Sequence, residues 1–121
     1  MLKIILMIAV LLVGCATPEN DLRKRPPSFE LTSRHSAVRV ATCIAGRWKQ
    51  ATQFDPTGGY PIEVGPVEGG YTVSAIARNL FEEWSGALAY VENTPDGSVT
   101  RYFENGVGTE EAFDNAVKEC Q

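Results

Sequence analysis

The sequence is poor in the residues on which most catalytic and metal sites depend. It contains one histidine, His35, and three cysteines among 121 residues. Nucleophilic catalysis by serine or cysteine needs a histidine or another poised base beside it, and we expect His35, just before the first predicted helix, to be exposed. Two cysteines and one distant histidine also fail to match the usual spacing of zinc ligands. We therefore expect no metal site and no enzyme of these classes.

No carboxylate pair and no glycine motif stands out either. Glu82 and Glu83 would point to opposite faces of a strand or diverge by about 100° around a helix. Glu110 and Glu111 suit the positive end of a helix dipole. The glycines at positions 58, 59, 65, 69 and 70 follow neither GxGxxG nor the P-loop pattern, so they predict turns and no nucleotide cofactor. A small envelope hydrolase that uses scattered carboxylates stays open as an alternative.

Positive charge is scarce, with 11 basic against 15 acidic residues and a formal net charge of −4. Nucleic acid and anionic lipid head groups both call for a basic patch on the protein. The composition therefore argues against both as partners. The one basic cluster, Arg23-Lys24-Arg25, is interpreted as part of a solvated spacer, with contact to head groups as the alternative.

No apolar run reaches the roughly 20 residues that a membrane span requires. The longest, from Ile4 to Val13, follows a single charge, Lys3, and is followed by small residues. This three-part arrangement is typical of a secretory signal. A surface helix of a small domain would instead carry a single apolar stripe.

The stretch Leu12-Val13-Gly14-Cys15 at the end of this run resembles the lipobox of bacterial lipoproteins. The resemblance implies that residues 1–14 are a cleaved signal peptide and that Cys15 receives diacylglycerol and, on its new amine, a fatty acid such as palmitate. In that family Asp after the cysteine favours the inner membrane. Ala16 at this position implies an outer-membrane anchor, with the protein facing the periplasm.

Removal of residues 1–14 leaves 107 residues with a formal net charge of −5, enough for one small domain. The stretch from 16 to 33 is polar, contains proline and lacks periodicity, as is typical of a flexible tether. We therefore divide the mature chain into a lipidated N-terminus with its tether, residues 15–33, and a single domain, residues 34–121. With Cys15 assigned to lipid, Cys43 and Cys120 remain. An even pair in an exported chain predicts one disulfide.

Apolar periodicity predicts two helices, from Ser36 to about Thr52 and after Thr109, with Ser33 or Ser36 as the cap of the first. Cys43 flanks the apolar stripe of the first helix and Cys120 closes that of the second, so the disulfide would join the two helices. The stripes are Ala37, Ala41, Ile44, Trp48 and Ala51 in the first helix, and Phe113, Ala116, Val117 and Cys120 in the second.

Alternating patterns between the helices predict strands at 60–64, 71–78, 87–92 and 98–103, the last two joined by a turn at 93–97, while 79–86 stays ambiguous. The resulting fold class is α+β, with a helix, three or four antiparallel strands and a second helix in two layers, both helices packing on one sheet face. Tyr71, Trp84 and Tyr102 form the candidate binding surface on the uncovered face, with a core role for these rings as the alternative.

These features predict a membrane-anchored periplasmic lipoprotein whose domain acts as a binding or interaction module and not as an enzyme. The expected partners are the membrane, through the lipid anchor, and an envelope protein or cell-wall component. The chain also resembles short uncharacterised bacterial or prophage lipoproteins with a Cys-Ile-Ala-x-x-Trp helix, here Cys43 to Trp48, a resemblance that implies no activity. A prophage-derived exclusion lipoprotein that blocks an envelope receptor is a further alternative.

Overall fold

The computed structural model describes residues 26–52, 61–78, 83–104 and 110–121. Over these residues the protein is α+β, with two helices and a five-stranded antiparallel sheet. The predicted signal peptide, the lipobox and the basic cluster at 23–25 lie outside the described residues. No helix in the described part of the chain is long and apolar enough to cross a membrane. The elements are β1 (Phe29–Ser33), α1 (Ala37–Thr52), β2 (Ile62–Val67), β3 (Gly70–Arg78), β4 (Glu83–Thr94), β5 (Gly97–Glu104) and α2 (Glu110–Glu119).

The sheet has the strand order β1-β5-β4-β3-β2, and every neighbouring pair is antiparallel. Thr94 pairs with Gly97 across a two-residue turn, which confirms the predicted hairpin between β4 and β5. The sequence pattern at 60–64, interrupted by Pro61 and closed by Gly65-Pro66, predicts a short edge strand, and β2 does occupy one end of the sheet. It runs through Pro66 to Val67, since a proline without an N–H group is tolerated where no further strand pairs.

Two predictions about the sheet are wrong. The sheet has five strands and not three or four, and residues 29–33, assigned from the sequence to the tether, form β1. This strand pairs with β5, with Phe29 opposite Tyr102 and Ser33 opposite Ser98. A five-residue strand with two apolar positions has too little periodicity to be recognised alone, and its pairing partner lies about seventy residues away.

Helix α1 confirms the predicted first helix and its apolar stripe. Ser36 caps it, because the Arg39 N–H donates to Ser36 Oγ at 3.4 Å. Ser33, the other candidate cap, accepts from the His35 N–H at 3.0 Å instead. The residues of α1 that are buried are Ala37, Val40, Ala41, Ile44, Ala45, Trp48 and Thr52.

The main hydrophobic core draws on both helices and on alternate positions of the strands. All four residues of the predicted second stripe belong to it, three on α2 and Cys120 directly after it. Its strand members include several alanines, whose small side chains let α1 approach the sheet closely. Trp48 fills the space that these small residues leave, and it is fully buried. The strand members are Val73, Ala75, Ala87, Ala89, Val91 and Tyr102.

The predicted disulfide between Cys43 and Cys120 is confirmed. Their Cα atoms are 5.7 Å apart, within the range that a disulfide spans without backbone movement. The bond joins residues 77 positions apart and links the middle of α1 to the residue that follows α2. An ion pair between Arg47 and Glu119 also connects the two helices at their surface.

Candidate functional site

The predicted aromatic binding surface is wrong for the two of its residues whose side chains are described. Tyr102 is fully buried, with its ring 5.0 Å from that of Phe29 and 6.1 Å from that of Trp48. Tyr71 is half-buried and packs against the same core cluster. The side chain of Trp84 lies outside the described residues. Strand pairing explains the error, because alternation separates two sets of residues but does not say which set faces a helix.

The face of the sheet opposite the main core carries a second, smaller hydrophobic cluster. Leu88 and Phe103 are buried there, and Tyr90 packs against them while its hydroxyl donates to the Glu68 carbonyl oxygen at 3.0 Å. These residues stabilise the β3-β4-β5 region by apolar burial. They were not predicted as a group, because the pattern of each strand fits either face.

Beside this cluster, Arg101 lies between two carboxylates. Its Nη1 donates to Glu92 at 2.7 Å and its Nε donates to Glu30 at 3.1 Å. The hydrogen bond to Glu92 and the charges of both carboxylates raise the pKa of Arg101, while partial burial opposes them. Since Arg101 and its two partners satisfy one another across β1, β5 and β4, we interpret this group as structural.

A surface groove of about 500 Å³ lies where the end of β1 meets the β4-β5 hairpin. This volume falls within the range of small-molecule pockets, roughly 300–1,000 Å³. The groove joins segments more than sixty residues apart in the sequence. Its lining residues are Thr32, Ser33, Arg34, Thr94, Asp96, Ser98 and Val99.

The walls of the groove are fixed by backbone contacts. Gly97 has a φ of 149°, and a Cβ atom placed on it would lie 2.1 Å from the Ser33 carbonyl oxygen. The hairpin therefore approaches the end of β1 more closely than any residue with a side chain allows. Ser98 Oγ also donates to the His35 carbonyl oxygen at 2.9 Å. The segment from Ser33 to His35 is thus held against the hairpin.

The chemistry of the groove is polar and carries both signs of charge. Arg34 and Asp96 are exposed charged residues of the lining, which also includes the hydroxyl-bearing residues Thr32 and Thr94. None of the described lining residues is aromatic. A guanidinium group binds carboxylates, and a carboxylate binds ammonium groups. The groove therefore suits a polar ligand that carries both groups.

A buried tyrosine between two carboxylates forms a second polar cluster, the Tyr102 cluster, with Glu104 and Asp114. Burial raises the pKa of the Tyr102 phenol, and the charges of Asp114 and Glu104 raise it further. One oxygen of each carboxylate is buried. Within the described part of the chain no hydrogen bond of ordinary geometry reaches the Tyr102 oxygen, although both carboxylates lie close enough to interact with it.

The Tyr102 cluster is structural in its chemistry. Burial and the neighbouring carboxylates favour the protonated form of its phenol, while its ring packs against Trp48 and Phe29 and is fully buried. Sequence reasoning missed the carboxylate pair because Glu104 ends β5 and Asp114 lies on α2. Among the described residues no three His, Cys, Asp or Glu side chains converge as a metal site would require.

Comparison with known proteins identifies no relative: no family model, no curated protein and no solved structure matches this chain.

Proposed function

We propose that this chain is a periplasmic lipoprotein, anchored to the outer membrane through Cys15, whose domain binds a cell-wall component. The lipobox-like stretch at 12–15 supports the anchor, and a disulfide is typical of proteins in oxidising compartments such as the periplasm. The observation that carries the binding role is the groove, which has a volume of about 500 Å³ and contains charged residues of both signs, Arg34 and Asp96.

We also infer that both helices pack on the same face of the sheet, as in a two-layer α+β domain. Residues of α1, α2 and one set of strand positions belong to one buried cluster. The disulfide and the Arg47–Glu119 ion pair join the helices side by side. No residue of α1 or α2 is among the described lining residues of the groove.

The ligand class follows from the charges in the groove. Peptides of the cell wall carry free carboxylate and ammonium groups. Arg34 would bind a ligand carboxylate, and Asp96 would bind an ammonium group. The threonine hydroxyl groups add hydrogen bonds that fix the orientation of a polar ligand.

The proposed anchor keeps the groove near the membrane. Thirteen residues separate Cys15 from Phe29, and such a chain reaches at most about 50 Å when fully extended. Two or three acyl chains on Cys15 would anchor the protein stably, whereas a single chain gives only reversible binding. Cell-wall fragments within this distance of the membrane are accessible to the domain.

The experiment is a titration of the purified chain with peptidoglycan fragments released by a muramidase, followed by two-dimensional NMR. We expect shifts in the amides of residues 32–34, 94 and 96–99. Because a charge-assisted pair is lost, Arg34→Gln and Asp96→Asn should each weaken binding by about tenfold. Arg39→Gln and Glu63→Gln, which remove exposed charges outside the groove lining, are the matched controls.

Two results would overturn this proposal. One is the absence of shifts with any fragment, and the other is a set of shifts that Arg34→Gln and Asp96→Asn leave unchanged. Capture from membranes of an envelope protein that Arg34→Gln releases would instead keep the groove as the site and replace the wall ligand by a protein.

A further inference from the structure

The outer face of α1 is basic although the chain as a whole is acidic. Helix α1 contains Arg39, Arg47 and Lys49 and no acidic residue. Arg47 is paired with Glu119 of α2. Arg39 and Lys49 are exposed and form no ion pair with any carboxylate that the structure describes.

These two cations share one side of the helix. Arg39, Thr42, Gly46 and Lys49 follow the spacing i, i+3, i+7 and i+10, which places them on the face opposite the buried stripe. Arg39 and Lys49 are about 15 Å apart along the helix axis. We name this set, together with Val38, the outer face of α1.

Between the two cations, the outer face of α1 carries only the small residues Thr42 and Gly46. The Thr42 hydroxyl turns back and donates to the Val38 carbonyl oxygen at 2.7 Å, and no heavy atom lies within 4 Å of a Cβ placed on Gly46. Val38 is 49% exposed, the largest exposure among the described large apolar residues. A flat surface can therefore approach the helix backbone closely, with the two cations and one apolar side chain against it.

We propose that the outer face of α1 docks on the anionic phospholipid head groups of the membrane that carries the anchor. This inference rests on the proposed lipid anchor. Basic residues near an anionic membrane surface are attracted to it, whereas carboxylates are repelled. The neighbouring helix α2 exposes Glu111 together with Lys118, and its Glu119 is paired with Arg47, whereas α1 contains no carboxylate. The charge difference between the helices therefore favours α1 as the side that faces the bilayer.

The lipid anchor allows a patch of only two cations to dock on the membrane. Two cations alone do not hold a protein on a membrane, but tethering raises the effective concentration of the patch at the surface and makes docking intramolecular. The acidic net charge argued from the sequence against head groups as partners. The structure changes that conclusion, because Arg39 and Lys49 share one face of α1, a helix without a carboxylate, and form no ion pair with any described carboxylate.

The test uses the full lipidated chain in nanodiscs that contain a gadolinium-chelating lipid. Discs of phosphatidylcholine alone are compared with discs that also contain phosphatidylglycerol. In the anionic discs we expect the paramagnetic broadening of exposed α1 amides to exceed that of β2 amides by about twofold or more, because docking holds α1 closer to the chelated gadolinium. The attraction acts within a Debye length of roughly 10 Å. High salt or phosphatidylcholine alone should remove the difference.

Two charge-reversed variants of α1 and one matched control on α2 complete the design. Lys49→Glu should remove most of the excess broadening, and the double variant Arg39→Glu with Lys49→Glu should remove all of it. Lys118→Glu changes the net charge by the same amount on α2 and should leave the excess in place. Equal broadening of α1 and β2 in anionic discs, or an excess that Lys49→Glu does not change, would overturn the docking proposal alone. A chain recovered without lipid on Cys15 would overturn the anchor and with it this inference.

Discussion

The indole ring of Trp48 stacks on the ring of Phe113, with the two centroids 4.7 Å apart and the planes inclined by 25°. Trp48 Nε1 also donates a hydrogen bond to the Phe113 carbonyl oxygen at 3.2 Å. Both side chains are fully buried, and the Tyr102 ring meets the indole at an angle of 65°. This pair fixes α2 against α1 at the centre of the core.

Replacement of Trp48 by Phe should therefore destabilise the domain. The variant loses the hydrogen bond to Phe113 and leaves part of the indole volume empty, and together these effects lower the free energy of unfolding by about 2 kcal/mol. Urea unfolding followed by circular dichroism measures the difference. Val38→Ala, an exposed change on the same helix, should stay within about 0.5 kcal/mol of the wild type. A loss of similar size in both variants would contradict the central role of the pair.

The Cys43–Cys120 disulfide should contribute a large part of the stability. For residues 77 positions apart the chain-entropy model gives about 4.5 kcal/mol. Native-state strain and residual structure in the unfolded chain reduce this figure, so we expect Cys43→Ala with Cys120→Ala to lower the free energy of unfolding by about 2–4 kcal/mol. Denaturant unfolding of the oxidised protein, the reduced protein and the double variant gives the comparison.

The reduced wild type should match the double variant in this experiment. Alkylation of the unreduced, folded protein supplies the chemical check, since two disulfide-bonded sulfurs take up no alkyl group. Uptake of two alkyl groups, measured by mass spectrometry, would contradict the bond.

Substitution by alanine should have opposite effects on the stability of the domain at Gly97 and at Gly46. Gly97→Ala places a methyl group 2.1 Å from the Ser33 carbonyl oxygen at a φ of 149°, so it should destabilise the domain by about 2 kcal/mol or more. Gly46→Ala lies on the open side of α1 with no heavy atom within 4 Å, and it should stabilise the domain by about 1 kcal/mol. Thermal unfolding of both variants tests the pair, and a neutral Gly97→Ala would show that the hairpin moves away from β1 without cost.

The raised pKa of the Tyr102 phenol predicts that the free energy of unfolding falls at alkaline pH. Its pKa in the folded protein is raised above the ordinary value of 10 by burial and by the neighbouring carboxylates. The unfolded chain then releases a proton that the folded protein keeps, so this contribution is complete below pH 10 and declines as the pH rises beyond it.

Tyr102→Phe removes this titration. Above pH 10 the stability of the wild type relative to the variant should fall by up to about 1.4 kcal/mol per pH unit. Urea midpoints measured for both proteins across this range give the slope. Parallel curves for the two proteins would show that the phenol titrates normally in the folded state.

Lipidation of Cys15 is tested in cells. Cys15→Ala should abolish labelling by a fatty-acid analogue and release the domain from the membrane fraction, because one thioether carries the diacylglycerol of the anchor. Cys43→Ala, which leaves the lipobox intact, is the matched cysteine control and should remain labelled. Retention of Cys15→Ala in the membrane fraction would contradict the anchor.

The sequence by itself determined the elements whose signals are local. The apolar stripes of both helices, the turn formers between β4 and β5, and the even pair of cysteines each predicted a feature that the structure contains. In each helix the period of 3.6 residues identifies the buried side without reference to any other part of the chain. For the disulfide, the even pair that remains once Cys15 is assigned to lipid predicted the bond. The positions of Cys43 beside the first stripe and of Cys120 at the end of the second predicted that it joins the helices.

Only the tertiary structure decided the features that depend on distant pairing. A strand pattern of period two fits either face of a sheet, so Tyr102 was placed on the wrong side until its pairing with Phe29 brought it beneath Trp48. The same pairing turned part of the predicted tether into β1. Arg34 and Asp96 line the same groove because Gly97 allows the hairpin to approach the end of that strand closely. Local patterns fix which residues are buried in an element, whereas contacts across sixty or more residues decide what those elements place together.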